Sequence, residues 1–194
     1  MHSNTCVLLL GFAGTGKLTI AQVLAPIIGA RIVDNHWINN PIFGLVETDR
    51  QTPLPASIWD QTQKVREAVL DTIATLSRPN SSFIFTYVGI DGDPYDRHSY
   101  ELMQRAADKR NALFVPVRLI CSEEELARRI IMPERKEKLK ETNALAAIMR
   151  NRALKILNPK HINQMTLDVS DISAIEAAEA IERHISGLRK RQAG

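Results

Sequence analysis

Cysteine and aromatic residues are scarce in this chain, and neither supports a specialised site. Two of the 194 residues are cysteines, Cys6 and Cys121, and both lie inside apolar segments. Two separated cysteines make neither a metal-binding nor a redox motif, so we expect two buried, small apolar side chains. Aromatic residues make up 5% of the chain, and they are not interleaved with a basic stripe, as binding of single-stranded nucleic acid requires. We therefore expect no nucleic-acid partner.

Long apolar runs and a strong net charge are also missing. No segment approaches the roughly 20 apolar residues that a membrane-spanning helix needs, and the apolar residues 6–12 are too few for a secretion signal. We expect no membrane partner and, by default, a cytoplasmic location. The net charge of +3 is a mild excess that polyphosphate binding would explain as well as any other partner. The oligomeric state, monomer or dimer, does not follow from the sequence.

Apolar runs alternate with segments of helical spacing along the whole chain. The runs predict five buried strands, at residues 5–11, 30–34, 83–89, 113–122 and 165–170. Apolar positions three and four apart predict helices at residues 17–29, 57–77, 95–110, 122–130, 144–157 and 172–188. Residues 37–56 contain three prolines and a glycine, which predicts loop or broken helix, and the last residues predict a frayed end.

Alternating strands and helices require a parallel sheet that is covered on both faces. The sequence therefore predicts the α/β class, as a three-layer αβα sandwich with a five-stranded parallel sheet. It shows neither an internal repeat nor a linker, so we expect a single domain over residues 1–194, a length that encloses one sizeable core.

The segment GFAGTGKLT, residues 11–19, follows the first predicted strand and opens the first predicted helix. Its glycines allow consecutive backbone N–H groups to turn inward around an anion, and the helix N-terminus adds its dipole. Lys17 can place a charge on the β- and γ-phosphates. A glycine-rich turn without function is the alternative, but the spacing, the lysine and the strand–loop–helix setting favour phosphate binding. We expect the nucleotide contacts from Gly11, Ala13, Gly14, Thr15, Gly16, Lys17, Leu18 and Thr19.

Leu18 departs from the usual phosphate-binding loop, in which the residue after the lysine carries a hydroxyl that binds Mg²⁺. The first hydroxyl here comes one residue later, on Thr19, where we expect it to contact an α-phosphate. Mg²⁺ would then be held by phosphate oxygens, water and an acidic side chain, which suits an ion that keeps most of its waters.

GFAGTGKLT followed by IAQVLA resembles the small P-loop kinases of metabolites and nucleotides: adenylate, shikimate and gluconate kinase and chloramphenicol phosphotransferase. Adenylate kinases likewise have a residue without a hydroxyl between the lysine and the threonine. The resemblance covers most of the chain, through VDNH (33–36), FIFTYVG (83–89), VRLICSEEELARRI (117–130) and MTLDVSDISAIEAAEAI (165–181). It implies a P-loop NTPase fold of the nucleoside/shikimate-kinase type, which uses ATP and Mg²⁺. It also implies an acceptor-binding insertion at about residues 35–66 and a mobile lid at about residues 130–143.

The resemblance also implies roles for single residues. Asp34 stands where these kinases carry an acidic motif, and would hold a water on Mg²⁺ or polarise the acceptor hydroxyl; a carboxylate that caps the strand end is the alternative. His36 takes the substrate-facing position where shikimate kinases have an aspartate, which argues against shikimate as acceptor; a structural histidine is the alternative. The third strand ends at Thr86 and Tyr87, without a Walker-B aspartate or the glycine run of shikimate kinases. We expect Tyr87 to fill that space at the substrate.

Basic residues are assigned by the same resemblance. In the lid, Arg135 would close over the γ-phosphate and stabilise the charge that develops there. Either Arg128 or Arg129 would contact adenine or phosphate, because only one of two adjacent helix residues can face inward. Arg66 and Arg152 align with acceptor-binding arginines of shikimate kinases and would bind an anionic acceptor. The alternative for each is a surface residue.

These features predict ATP-dependent phosphoryl transfer to the hydroxyl, or phosphate, of a small metabolite, with Lys17, Asp34 and Arg135 as catalytic residues. A nucleoside monophosphate kinase or antibiotic phosphotransferase is a second hypothesis, although the DGFPR-like segment of nucleotide kinases is absent from the third strand. An ATP-binding protein with little or no kinase activity is a third, because the Walker-B aspartate and the glycine run are missing.

Overall fold

The computed structural model describes residues 3–46, 54–131 and 143–193. Its sheet contains β1 (Thr5–Leu10), β2 (Ala30–Asp34), β3 (Ser82–Tyr87), β4 (Leu113–Ile120) and β5 (Met165–Asp168). Every neighbouring pair is parallel, in the order β2-β3-β1-β4-β5. The predicted fold class is confirmed, and the predicted strands differ from the observed ones only at their ends.

Helices connect the strands and cover both faces of the sheet. The described part of the chain contains α1 (Lys17–Ile28), α2 (Asn35–Phe43), α3 (Ser57–Thr75), α4 (Pro94–Lys109), α5 (Glu123–Ile130), α6 (Ala144–Ala153) and α7 (Ala174–Ala193). Alternate residues of β1 show the layering, because Val7 and Leu9 pack against α1 and α7, whereas Leu8 and Leu10 pack against α3 and α4. Side chains of successive strand residues point to opposite faces, so each face receives its own apolar layer. Cys6 is buried as expected, while Cys121 is only half-buried.

Two helices differ from the sequence-based expectation. Residues 35–43 form α2, whereas the sequence predicts loop or broken helix over residues 37–56. The helix forms because the Asp34 carboxylate accepts a hydrogen bond from the backbone N–H of His36 at the helix start, and Pro41 falls only in its last turn. The C-terminal residues are not frayed: α7 continues to Ala193. Arg189 fastens this end, because its Nη2 donates to the carbonyl of Asn4 and the hydroxyl of Thr5, each at 2.9 Å.

A buried arginine supports the turn that leads into β3. Arg110, which ends α4, donates hydrogen bonds to five backbone carbonyl oxygens, those of Ile73, Ser77, Arg78, Pro79 and Ser81. Its charge is thus solvated by peptide dipoles of the α3–β3 connection instead of by water. Across residues 3–46, 54–131 and 143–193, no helix combines the length and apolar character needed to cross a membrane.

Candidate functional site

The carboxyl ends of β1, β2 and β3 meet at one edge of the sheet. The glycine-rich loop, residues 11–16, follows β1; α2 begins directly after β2; and residues 88–93 lead from β3 into α4. In open α/β sheets the carboxyl edge is the usual place for a ligand. The segments that carried chemical signals in the sequence are therefore neighbours in the structure.

Two glycines of the glycine-rich loop lie so close to neighbouring atoms that a side chain at either position would collide with them. Gly14 has a φ of +93°, and a Cβ at this position would lie 3.0 Å from a side chain of α5. A Cβ on Gly11 would lie 2.6 Å from the hydroxyl of Thr15 and 3.0 Å from the carbonyl oxygen of Leu119. The Thr15 hydroxyl in turn donates to the carbonyl of Phe12 at 2.9 Å. These contacts fix the loop in the curved shape that an anion-binding turn requires.

Lys17 stands at the first position of α1. Its ammonium group donates to the carbonyl oxygens of Gly11, at 2.7 Å, and Phe12, at 2.8 Å. The charge is therefore held against the loop, beside a recess of about 180 Å³ that Lys17 and Leu18 both line. Thr19 is exposed on α1 and is not among the residues that line this recess.

This space, the loop recess, brings together three of the segments singled out in the sequence. Its lining comes from the glycine-rich loop and the start of α1, from the end of β2 and from the end of β3. The residues are Ala13, Gly14, Gly16, Lys17, Leu18, Asp34, Asn35, His36, Thr86, Tyr87 and Val88. The recess is thus lined by both the cation of Lys17 and the carboxylate of Asp34.

Asp34 is held by hydrogen bonds that converge on one oxygen. The hydroxyl of Thr86 donates to Asp34 Oδ1 at 2.7 Å, and His36 contacts the same oxygen through its backbone N–H at 3.4 Å and its ring Nδ1 at 3.2 Å. Burial on its own would raise the pKa of Asp34, but the hydrogen bonds from His36 and Thr86 outweigh it and hold the pKa below its usual range. The group is therefore a carboxylate at neutral pH, with its orientation fixed by Thr86 of β3 and His36 of α2.

A second, larger space adjoins the loop recess. This large cavity has a volume of about 560 Å³ and is enclosed by the glycine-rich loop, α2, α3, the β3–α4 connection and α6. It shares four lining residues with the loop recess: Ala13, Asn35, Tyr87 and Val88. A molecule in the large cavity would therefore lie next to whatever occupies the loop recess.

Arg66 is the most unusual residue of the large cavity. It is 3% exposed, and its guanidinium lies 4.9 Å from the centre of the Tyr87 ring. Nη1 donates to Asn35 Oδ1 at 3.0 Å, while Nε is buried without a hydrogen-bond partner. No carboxylate in the described part of the chain forms an ion pair with it. Burial raises the pKa of Asp96 and the charge of Arg66 opposes this shift, so the two groups interact without direct contact. A buried cation without a direct ion pair is costly, so the arrangement favours an anionic ligand.

The acidic residues of the large cavity, in contrast, are used by the framework. Asp96 accepts hydrogen bonds on both oxygens, from the Tyr87 hydroxyl at 2.5 Å and from the backbone N–H of Ile90 at 2.7 Å. Asp93 caps α4 by accepting from the backbone N–H groups of Tyr95 and Asp96. Burial raises the pKa values of both Tyr87 and Asp96. The Tyr87 hydroxyl is thus a donor to Asp96, and the ring is what Tyr87 presents to Arg66.

The predicted arginines are placed differently from one another. Arg129 turns towards the loop, because a Cβ on Gly16 would lie 3.6 Å from its Nη1, and its side chain is 20% exposed against 66% for Arg128. Both pair with Glu125, each at 2.6 Å. Arg152 forms an exposed ion pair with Glu123 at 2.7 Å, and the α6 residues that line the large cavity are Ala147, Arg150 and Asn151. Arg135 lies outside the described residues.

Most residues of the large cavity were not expected from the sequence, among them Asn39, Trp59, Tyr95 and Arg150. Helical spacing carries a signal for two of them. Asn39 is four residues after Asn35, and Trp59 is seven residues before Arg66, so each pair shares one helix face. Arg150 and Tyr95 carried no such signal, because nothing in the sequence shows that α6 and the start of α4 face the same space.

The described residues contain no cluster of three or more His, Cys, Asp or Glu side chains that could enclose a metal ion. A single carboxylate, Asp34, lines the loop recess. This arrangement fits Mg²⁺, which is commonly bound by one or two carboxylates together with phosphate oxygens and waters.

Comparison with known proteins gives structural neighbours only. No protein-family model and no curated protein sequence matches the chain. A gluconokinase from Sinorhizobium meliloti 1021 is 15% identical with a TM-score of 0.66, over 100% of this chain and 98% of that one. An APS kinase from Mycobacterium tuberculosis, in complex with AMPPNP and APS, is 12% identical with a TM-score of 0.61, over 96% and 99%.

A shikimate kinase from Acinetobacter baumannii, in complex with shikimate, is 17% identical with a TM-score of 0.58, over 96% of this chain and 95% of that one. The similarity extends over nearly the full length in all three cases, and the resemblance first seen in GFAGTGKLT is confirmed at the level of architecture. The chain has the fold of the P-loop small-molecule kinases.

Proposed function

We propose that the protein is a kinase that transfers the γ-phosphoryl group of ATP to a hydroxyl group of a small anionic metabolite. The observation that carries this proposal is the junction between the loop recess and the large cavity, which share Ala13, Asn35, Tyr87 and Val88. Phosphoryl transfer needs donor and acceptor in contact in a shared, positioned space, since catalysis is mostly positioning and charge stabilisation.

The residues of the loop recess suit the donor. Backbone N–H groups of the glycine-rich loop and the Lys17 ammonium would hold the phosphates, and Lys17 would exchange its bonds to the Gly11 and Phe12 carbonyls for phosphate oxygens. Arg129, beside Gly16, is the described arginine best placed to add a second cation. Mg²⁺, when bound with ATP, would neutralise charge on the β- and γ-phosphates, and Asp34 would hold one of its waters.

The phosphoryl transfer does not require a strong base. The bond between the γ-phosphorus and the oxygen shared with the β-phosphate breaks, a bond to the acceptor oxygen forms, and the hydroxyl proton leaves to water. The hydrogen bonds to Asp34 that hold its pKa low make it a weak proton acceptor. Asp34 would instead orient the acceptor hydroxyl and stabilise the positive charges around the phosphates. These roles suit a loose transition state, in which catalysis is mostly positioning and charge stabilisation.

The large cavity suits an acceptor with a negative charge. Arg66 is a buried cation without an ion-pair partner among the described residues, whereas both oxygens of Asp96 are already taken by Tyr87 and Ile90. An acceptor carboxylate or phosphate would satisfy Arg66. The two carboxylates among the described residues of this cavity, Asp93 and Asp96, already accept hydrogen bonds from the framework, so a cationic acceptor is matched less well.

The experiment is a coupled assay of ADP release with ATP, Mg²⁺ and a panel of hydroxylated acids, neutral sugars, nucleoside monophosphates and aminocyclitols. We expect ADP release to depend on an anionic acceptor and to disappear in Lys17→Ala. Release of ADP with aminocyclitols alone would contradict the anionic acceptor. Failure of the wild-type protein to bind ATP in calorimetry would contradict the whole proposal.

A further inference from the structure

The outer wall of the large cavity is aromatic. Trp59, in the first turn of α3, and Tyr95, in the first turn of α4, both line the cavity. Their ring centres lie 6.1 Å apart, and the ring of Phe43 meets Trp59 edge-on at 5.7 Å. Trp59 remains 41% exposed despite these neighbours. A half-open indole in a concave space is a large apolar surface for a ligand.

This aromatic wall, Trp59 with Tyr95 and Phe43, is held in place by hydrogen bonds. The Tyr95 hydroxyl lies 3.0 Å from the hydroxyl of the fully buried Thr62, and it also donates to the carbonyl of Trp59 at 3.4 Å. Thr62 donates to the same carbonyl at 2.9 Å. The backbone N–H of Tyr95 is capped by Asp93 at 2.8 Å. The position of the Tyr95 ring and of the Trp59 backbone is thus set before any ligand binds, which lowers the entropic cost of binding.

The cavity is polar at its other end. Arg66 follows Trp59 by seven residues on α3, a rise of roughly 10 Å along the helix axis. Asn39 Oδ1 and Arg66 Nε are both buried without hydrogen-bond partners, and both residues line the cavity. The described part of the cavity therefore offers an apolar wall and an unsatisfied polar end within the span of one small molecule.

We propose that the acceptor is a hydroxylated acid that carries a planar ring, with the ring against Trp59 and Tyr95 and the acid group at Arg66. The inference rests on the proposed function only in taking the large cavity as the acceptor site. Hydroxyls of an open-chain polyol acid would lose water against the aromatic wall without gaining partners there. A planar ring gains burial and aromatic contact instead. The volume of about 560 Å³ also leaves room for more than a six-carbon chain, since pockets of drug-sized ligands span about 300–1,000 Å³.

Trp59 itself can report binding. The chain has two tryptophans, and the other, Trp37, is 65% exposed on α2 and lines neither the loop recess nor the large cavity. Trp37→Phe therefore leaves Trp59 as the single fluorophore. With AMP-PNP present, 4-(hydroxymethyl)benzoate should change the fluorescence emission of Trp59 in a saturable way. It should bind about tenfold more tightly than gluconate or glucuronate, because it is the one of the three acids with a planar ring.

Calorimetry on variants of Trp59 completes the test. Trp59→Ala should weaken 4-(hydroxymethyl)benzoate about tenfold and leave gluconate unchanged, whereas Trp59→Phe should stay within about threefold of wild type. Equal affinity for the three acids, or an unchanged affinity in Trp59→Ala, would overturn the ring assignment. Phosphorylation of gluconate with release of ADP would also overturn the ring assignment, but it would support the kinase proposal. Selective binding of the aromatic acid without any transfer would support the ring assignment and count against the kinase proposal.

Discussion

Replacing Arg66 with methionine tests whether this buried cation binds a ligand or stabilises the fold. Arg66 is almost fully buried, yet within the described residues it makes one hydrogen bond, to Asn35, and lies over the Tyr87 ring. The chain also contains a matched control. Arg110 is similarly buried but donates to five backbone carbonyl oxygens. Arg66→Met and Arg110→Met therefore remove the same charge from two very different surroundings.

The expected magnitudes follow from these contacts. Arg66→Met loses one charge-assisted hydrogen bond, worth about 1.5–3 kcal/mol, and the contact with Tyr87, worth about 0.5–2 kcal/mol. Removing a buried charge that has no direct ion pair offsets these losses by several kcal/mol. We therefore expect the free energy of unfolding to change by less than about 1.5 kcal/mol. In Arg110→Met five carbonyls lose their donor, and we expect a loss of at least about 3 kcal/mol in the free energy of unfolding.

Urea unfolding of both variants and of wild type measures these values. Ligand binding should affect the two proteins differently: an acceptor acid should raise the melting temperature of wild type and leave that of Arg66→Met unchanged. With an identified acceptor, Arg66→Met should raise KM about 30-fold, the equivalent of a lost contact of about 2 kcal/mol. A large loss of stability in Arg66→Met together with an unchanged KM would show that Arg66 is a framework residue, and the argument for an anionic acceptor would be wrong.

Three further predictions concern the loop recess. Leu18→Ser should leave ATP affinity within about threefold, whereas Lys17→Ala should weaken it by at least about 2 kcal/mol, because the lysine and not position 18 contributes the charge; equal effects in calorimetry would contradict this. Gly11→Ala should lower the free energy of unfolding by about 1–3 kcal/mol, because its Cβ would meet the Thr15 hydroxyl at 2.6 Å; unchanged urea midpoints would refute the close approach. Asp34 has a lowered pKa in the folded state, so the stability it contributes is present above its unfolded pKa of about 3.9 and is lost as pH falls further. The difference in free energy of unfolding between wild type and Asp34→Asn should therefore shrink between about pH 7 and about pH 3. A constant difference over this range would contradict the prediction.

The sheet and the glycine-rich loop could be predicted because each is encoded in a continuous segment. Buried parallel strands are short apolar runs, and the loop needs glycines at Gly11, Gly14 and Gly16 within six residues. The start of α2 was missed because its cap, Asp34, also looked like a ligand-binding residue, and Pro41 suggested a loop. One carboxylate can do both, since Asp34 Oδ1 accepts from His36 while the side chain lines the recess.

The large cavity was harder to predict because its walls come from separate segments. The resemblance to shikimate kinases favours Arg152, but the structure brings Arg150 to the cavity instead. Two residues apart on a helix means roughly 200° of rotation, so the two side chains lie on opposite faces. The C-terminal end of α7 was likewise misjudged, because contacts of Arg189 with Asn4 and Thr5 bridge nearly the whole length of the chain.

Phe12 links the lysine of the loop recess to the large cavity. Its carbonyl oxygen accepts hydrogen bonds from Lys17 and Thr15, whereas its side chain belongs to a residue that lines the large cavity. A phosphate that draws Lys17 away from this carbonyl would change the surroundings of a residue that the acceptor meets. Such an exchange would couple the two binding free energies, and linkage makes the coupling reciprocal: the factor by which the nucleotide changes acceptor affinity is the factor by which the acceptor changes nucleotide affinity. The affinity for each molecule would then depend in part on the hydrogen bonds of one peptide carbonyl.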